Sequence, residues 1–269
     1  MGGTRRTFRE RAEEVCYQRQ VRDEMAGLAE VDRLFPRPAD TSLKRARVRP
    51  IGRALAWKVI SRYEWLGTLP ANCTDYFGLF FGDICGGVAC YAVGNVGAGG
   101  VVTEKMFGVK QTEIAYLARG ACVHWAPVGS APKLINFSAR MTGAQLALAY
   151  SDTDAGEIGT VYQAAGWTCL GKSVNGTAEY VSPLGRVYNQ MLPRDLARKQ
   201  GGTTDAWRTR LLSEGWTRQR SNTKIRYVLL LERGRRNPLL VERVAKYAVP
   251  YPKRGEKTSS TRSGPAAKA

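Results

Sequence analysis

Histidine is the residue that this sequence most conspicuously lacks. His124 is the only histidine among 269 residues. A metal site made of several histidines is therefore excluded, and a Ser-His-Asp triad would have to use this one residue. The six cysteines contain no C-x-x-C pair, so zinc-finger and zinc-ribbon spacings are absent too. No metal site is predicted, and metal dependence stays open.

Other absences concern the compartment. Six cysteines scattered along a chain of this length are typical of buried, reduced thiols in a cytosolic protein. No apolar run approaches the roughly 20 residues that a membrane span needs. Residues 1–14 turn charged at once and lack the apolar segment of a secretory signal. The sequence therefore predicts a cytoplasmic protein with no membrane partner.

Positive charge is abundant and unevenly distributed. Lys and Arg number 41 against 23 Asp and Glu, a net charge of +18. Residues 1–55 carry +5, residues 56–184 carry −1 and residues 185–269 carry +14. A near-neutral body with a cationic flank predicts a nucleic-acid partner whose binding weakens with salt, the alternative being an idle basic surface. The candidate phosphate contacts are Lys44, Arg119, Arg208, Arg218, Arg220, Lys224 and Arg226.

Hydrophobic periodicity divides the chain into three parts. Residues 1–41 are predicted to be a helical extension with its helix at 6–34, residues 42–250 a catalytic domain, and residues 251–269 a disordered basic tail. The domain alternates strands and helices, which predicts a mixed α/β sheet. Strands are predicted at 46–51, 75–81, 84–93, 113–125, 146–150, 167–171 and 225–231, helices at 52–64, 133–143, 156–165 and 205–214, and a flexible loop at glycines 94, 97, 99 and 100.

The first chemical unit is a strand, a loop of small residues and a helix over residues 117–134. Small side chains let backbone N–H groups approach a phosphate, and a helix N-terminus adds a positive field. An ordinary strand-to-helix connection is the alternative, with His124 as a core histidine. The candidate cofactor-binding residues are Val123, His124, Trp125, Gly129, Ser130, Ala131 and Lys133.

The second unit, residues 150–167, places a serine and carboxylates after a strand. Ser151 and Asp152 stand at the strand end, where ligands of open α/β sheets gather. Asp154 and Glu157 follow closely. Asp154 is predicted to cap the next helix, whereas Asp152 is open to either a cap or a site.

The second unit ends in Tyr162-x-x-x-Gly166-Trp167, which resembles the signature of GNAT acyltransferases. The resemblance implies a GNAT-like, mostly antiparallel sheet flanked by helices, with acetyl-CoA or a related acyl-CoA as cofactor. It also implies that the 117–134 unit cradles the CoA pyrophosphate and that Tyr162 protonates the departing thiolate. Ser130-Ala131-Pro132 stands where a typical GNAT has glycines.

Longer blocks resemble the phage Mom family over roughly residues 42–231: Ser42–Lys44, Tyr63–Thr68, Tyr76–Phe80, Ala118–Pro127 and Tyr150–Trp167. The resemblance implies modification of adenine N6 in double-stranded DNA to methylcarbamoyl adenine, which protects phage DNA from restriction in the host cytoplasm. Direct transfer from acetyl-CoA would instead give N-acetyl adenine, so the donor is left open.

An enzyme acting on adenine N6 is expected to flip the base into a pocket. The catalytic candidates are Tyr63, Glu64, Ser151, Asp152 and Tyr162. Glu64 or Asp152 as base needs a pKa raised towards neutrality. Two alternatives remain: a conventional GNAT that acetylates a protein or small-molecule amine, and a DNA-binding protein without enzymatic activity. Target sequence and oligomeric state cannot be read from the chain.

Overall fold

The computed structural model describes residues 15–93, 98–173, 178–185, 187–220 and 224–253. A seven-stranded sheet has the order β1-β2-β3-β4-β5-β10-β6, and every neighbouring pair is antiparallel except β4 with β5. The predicted mixed, mostly antiparallel sheet flanked by helices is confirmed. The strands are β1 (Arg47–Pro50), β2 (Cys73–Phe81), β3 (Ile84–Val93), β4 (Ile114–Cys122), β5 (Leu146–Ser151), β6 (Thr168–Lys172) and β10 (Ile225–Leu230).

Three further strands form a second sheet of order β8-β7-β9: β7 (Ala178–Val181), β8 (Val187–Asn189) and β9 (Thr217–Arg220). The helices are α1 (Tyr17–Met25), α2 (Ala29–Leu34), α3 (Arg53–Tyr63), α4 (Ala98–Phe107), α5 (Ser130–Met141), α6 (Thr160–Ala164), α7 (Leu192–Gln200), α8 (Thr204–Ser213), α9 (Glu232–Arg235) and α10 (Pro238–Tyr247). Short 3-10 turns stand at Gln111–Glu113 and Thr153–Ala155.

The core lies between the central strands and the helices packed on them. Leu79, Val88 and Val228 are fully buried in the sheet. Val59 and Ile60 lie on the inner face of α3 as predicted, together with Ala56 and Tyr63, because residues spaced three and four positions apart share a helix face. This core fixes the strands that carry the candidate site.

Several predicted element boundaries are wrong, for local reasons. Residues 98–107 are helical rather than a flexible loop, and glycines 94 and 97 lie outside the described residues. The helix predicted at 156–165 covers only Thr160–Ala164, since Gly156 and Gly159 adopt positive φ angles that interrupt it. The N-terminal helix is two helices within the described part, with residues 6–14 outside it.

Residues 173–224, termed the basic insert, join β6 to β10. They carry nine basic and four acidic side chains. The sequence predicts only one helix here, whereas the structure shows the second sheet with α7 and α8. Ile225, directly after the insert, pairs with Ser151 at the end of β5. The insert therefore joins the main sheet at the carboxyl end of β5.

Candidate functional site

A cleft opens where β4 and β5 diverge. The two parallel strands pair only over Ile114–Tyr116 and Leu146–Leu148. Beyond this point β4 stays paired with β3, and β5 with β10, on their outer sides. The space between them has a volume of about 520 Å³, within the range usual for small-molecule sites. It lies at the carboxyl end of β5, where the sequence predicts the functional residues.

The divergence leaves two backbone edges facing this cleft. Among the described residues, no strand pairs with residues 117–122 of β4 or residues 149–151 of β5 on the cleft side. Such edges present backbone N–H and C=O groups that are not paired with another strand and can form hydrogen bonds with a ligand. An extended ligand with amide groups could bond to both edges as a short strand does.

The end of β5 brings Ser151 and Asp152 into the cleft wall. Asp152 exposes 5% of its surface; its Oδ2 lies 3.1 Å from Lys224 Nζ, and its Oδ1 accepts the Asp154 N–H at 3.0 Å. Asp152, rather than Asp154, thus caps the turn that follows, and it also forms an ion pair with Lys224, whose side chain is 37% exposed. Ser151 Oγ is buried with no hydrogen-bond partner among the described residues, so a ligand atom could satisfy it.

Glu157 is a cleft carboxylate that the sequence does not single out as catalytic. Its side chain is half-buried and lines the cleft. Burial raises the pKa of Glu157 to about 8, and the charges of Asp152 and Glu64 act in the same direction, against Lys224 and the Asp152 N–H. The two glycines that flank Glu157, Gly156 and Gly159, are a signal in the sequence that the backbone turns here. The burial of Glu157 has no such signal.

Tyr162 also lines the cleft, as predicted. Its ring packs against Tyr227 and Trp167 at centroid distances of 5.1 and 5.4 Å. Burial, helped by the charge of Glu157, raises the pKa of its phenol above the usual value. The phenol therefore keeps its proton at neutral pH and can donate it.

Gly159 holds the backbone beside Tyr162. Its φ is +74°, and an added Cβ would lie 2.3 Å from the Tyr227 ring. We expect Gly159→Ala to lower the free energy of unfolding by about 1–3 kcal/mol more than Gly166→Ala. Gly166 has nearly the same φ, +73°, but nothing within 4 Å of the added carbon. Urea denaturation of both variants measures the difference, and equal losses would contradict the close contact.

Glu64 and Trp65 line the cleft at the end of α3, whereas Tyr63 does not. Glu64 Oε2 accepts the N–H groups of Leu66 and Gly67 at 2.9 and 3.0 Å and lies 3.7 Å from Arg119 Nε. Tyr63 is fully buried, and burial raises its pKa to about 12. Its hydroxyl forms a hydrogen bond with His124 Nδ1 at 2.7 Å, so Tyr63 and His124 meet behind the cleft wall.

The residues at the start of α5 differ in their contact with the cleft. Ala131 lines the cleft, and the Ser130 hydroxyl is buried at the helix N-terminus without a partner among the described residues. Gly129 begins the helix with φ +90°. The Lys133 ammonium donates to the Leu43 carbonyl. The Ser130 and Lys133 N–H groups already bond to the Pro127 and Gly129 carbonyls, and Pro132 has no N–H. This leaves the Ala131 N–H for a ligand in the cleft.

Val123, His124 and Trp125 face away from the cleft towards the N-terminal helices. His124 Nε2 lies 2.9 Å from Asp32 Oδ1, and the Trp125 indole N–H donates to the Phe35 carbonyl at 2.8 Å. Val123 is fully buried. Their contacts position the strand end, and none of the three lines the cleft.

Arg22 of α1 ties the N-terminal helices to this strand end. Its guanidinium Nη2 donates to the carbonyl oxygens of His124 and Ala126. We expect Arg22→Ala to cost about 1.5–3 kcal/mol in free energy of unfolding, because charge-assisted bonds to two carbonyls are lost. Chemical denaturation checks the value. Arg33→Ala, which removes an exposed arginine from α2, is the charge-matched control, and an equal loss in both would refute the role of Arg22.

The predicted phosphate contacts fall into two groups. Lys44, Arg208 and Arg218 are exposed. The Arg220 side chain lies outside the described residues. On the insert, Trp207 is half-buried with the Arg210 guanidinium 4.7 Å from its ring centre.

The other predicted contacts are in or behind the cleft. Arg119 lines it and donates to the Thr68 carbonyl at 2.8 Å. Lys224 pairs with Asp152. Arg226 is half-buried between Met106 and the Lys172 carbonyl, and burial lowers its pKa. Arg119 and Lys224 thus line the cleft, whereas Arg226 does not.

The described residues contain no group of three or more His, Cys, Asp or Glu side chains arranged to hold a metal ion. No helix in the same part of the chain is long and apolar enough to cross a bilayer.

Comparison with known proteins gives one family. The family model described as the Mom protein family matches residues 45–253, which is more than half of the chain. No curated protein matches the chain.

Two solved structures are similar at low levels. An acetyltransferase from Bacillus subtilis in complex with CoA has 8% sequence identity over 70% of this chain and 99% of that chain, with a TM-score of 0.34. A tandem GNAT protein from the clavulanic acid biosynthesis pathway, without acetyl-CoA, has 10% identity over 51% of this chain and 48% of that chain, with a TM-score of 0.32. Both scores are below 0.5, too low to bear on activity.

Proposed function

The chain belongs to the Mom protein family, as its sequence blocks predicted, and on that premise we propose that it modifies DNA. The proposed reaction converts adenine N6 in double-stranded DNA to methylcarbamoyl adenine, which protects phage DNA from host restriction. The proposed cofactor is acyl-CoA; transfer of its acyl group alone would give an N-acyl adenine, so the methylcarbamoyl product requires a different donor or a further step. The observation that carries the proposal is the polar end of the β4–β5 cleft. There Ser151, Asp152, Glu157 and Tyr162 line one space with Lys224.

The cleft fits an acyl-CoA. The unpaired edges of residues 117–122 and 149–151 suit the two amides of a pantetheine arm. The N-terminus of α5, where Ala131 lines the cleft, suits its pyrophosphate. When bound, acyl-CoA supplies an activated carbonyl carbon. This fit supports the cofactor, although Lys133 is engaged with Leu43.

The protein groups at the polar end can handle the protons of such a transfer. Tyr162 keeps its proton at neutral pH and can give it to a leaving sulfur. Asp152 and Lys224 form a fixed ion pair beside it. Trp65 provides an aromatic ring in the same cleft, on which a flipped purine can stack.

The basic insert supports a DNA partner. Val181 of β7 packs with Trp65, Ala155 and Tyr17 at the cleft. The insert's excess of cations therefore begins beside the polar end of the cleft. A cationic surface there would hold the phosphates on either side of a flipped base.

The test is mass analysis of nucleosides from the DNA of cells that express the protein, against cells with an empty vector. The proposal expects an adenine nucleoside heavier by one carboxamidomethyl group. An N-acetyl adenine would keep the acyl transfer and refute the methylcarbamoyl product. Unmodified DNA together with CoA-dependent acetylation of amines would favour a conventional GNAT. Unmodified DNA together with tight DNA binding and no acetylation would favour a DNA-binding protein without enzymatic activity.

A further inference from the structure

Three carboxylates line the cleft, and two of them are already engaged. Asp152 is bonded to Lys224 and to the Asp154 N–H. Glu64 Oε2 accepts two backbone N–H groups and lies near Arg119. Protonating either carboxylate would weaken these bonds, so neither is a good acceptor for a substrate proton.

Glu157 is held differently. Its carboxylate accepts only a long bond, 3.4 Å, from the Asp152 N–H, and within the described residues it forms no ion pair. Four ionisable groups face it: Asp152 after β5, Glu64 at the end of α3, Lys224 before β10 and Tyr162 on α6. The charges of Asp152 and Glu64 disfavour an ionised Glu157, the Lys224 ammonium favours it and the Tyr162 phenol is neutral, so protonation of Glu157 relieves repulsion from the two carboxylates.

We infer that Glu157 is the general base that takes the proton from adenine N6, while the Asp152–Lys224 pair stays fixed. The inference rests on the proposed function and deepens it by assigning the base. Adjacent carboxylates in contrasting environments commonly divide such roles, one remaining charged and the other exchanging a proton.

The step balances for acyl transfer from a thioester, whose direct product is N6-acyl adenine; the chemistry that gives the methylcarbamoyl group is separate from the proton step assigned to Glu157. In acyl transfer N6 would bond to the carbonyl carbon, and the carbon–sulfur bond would break with its electron pair on sulfur. The N6 proton passes to the Glu157 carboxylate, and Tyr162 protonates the sulfur. The proton on Glu157 then returns to Tyr162 through water, which restores both groups. N6 loses one proton whichever carbon it bonds.

The pH dependence follows from the direction of the shift. Glu157 must be deprotonated to act as base, and its pKa is raised to about 8. The rate at subsaturating substrate should therefore rise with pH and level off above about 8, falling about tenfold per pH unit below it.

The test compares wild type with Glu157→Gln, and Asp154→Asn serves as control because Asp154 does not line the cleft. We expect Glu157→Gln to lower kcat by about 10²–10⁴-fold, with unchanged affinities for DNA and for CoA. Asp154→Asn should keep the wild-type rate. A Glu157→Gln variant with the wild-type rate and pH profile would overturn the inference, as would a rate loss accompanied by loss of binding.

Thermal stability against pH gives a readout that does not depend on activity. A carboxyl whose pKa is raised by folding destabilises the fold as pH rises from about 4.5 to about 8. Glu157→Gln should therefore raise the melting temperature relative to wild type at pH 8–9 and not at pH 4. Absence of this difference would overturn the titration. If wild type forms no modified adenine, the proposed function itself fails. The melting-temperature comparison still tests the titration of Glu157 in that case, so the two failures can be told apart.

Discussion

DNA from cells that express Asp152→Ala is expected to contain about 10²–10³-fold less modified adenine than DNA from cells with wild type. The substitution leaves Lys224 in the cleft without its 3.1 Å partner, so no carboxylate holds the partly exposed ammonium at the polar end of the cleft. It also removes the cap that orients the Thr153–Ala155 turn and hence Glu157. Nucleoside mass analysis measures the loss.

The matched control for this variant is Asp154→Ala, two residues away and outside the cleft lining. It should modify DNA as wild type does. Both variants should bind DNA with wild-type affinity, because the exposed cations of the insert are unchanged. Near-normal modification by Asp152→Ala would remove Asp152 from the site.

Replacing Arg208, Arg210 and Arg218 together by alanine is expected to weaken DNA binding by about a hundredfold at low salt. These exposed arginines belong to the insert beside the cleft. Each lost phosphate contact should reduce the slope of log affinity against log salt by about one. The slope should therefore fall by about three, as salt titrations of binding to a short duplex would show.

A triple alanine variant of Arg233, Arg235 and Arg236 removes the same charge elsewhere. Arg233 and Arg235 belong to α9, and Arg236 is its C-cap. The Gly234 backbone packs on Gln145, at the end of β5 away from the cleft. This variant should keep wild-type DNA affinity and salt slope. Equal weakening by both triples would show a response to net charge alone and contradict an interface on the insert.

Local patterns in the sequence were sufficient for most of the main sheet. Strand β3 was predicted at its observed bounds, Ile84–Val93, because an apolar run bounded by the Gly82-Asp83 turn is a short-range signal. The placement of Ser151 and Asp152 in a cleft followed from the strand end alone. Helix α4 was missed because its glycines argue for a loop, although tertiary contacts can override propensity.

Long-range contacts explain what the sequence could not predict. Tyr63 and His124 are 61 residues apart, and their hydrogen bond places both behind the cleft. Asp32 and Arg22, which precede the family match, hold the same strand end. Burial raises the pKa of Glu157, the charge of Glu64 adds to the rise and the charge of Lys224 opposes it. No sequence spacing connects Glu64 or Lys224 to Glu157.

A crystal structure of the protein grown with CoA tests the central claim most directly. The account predicts the pantetheine arm bonded between residues 117–122 and 149–151, with its sulfur beside Tyr162 and Glu157 and its pyrophosphate at the N-terminus of α5. CoA bound elsewhere, or β4 and β5 closed against each other with no room between them, would contradict it.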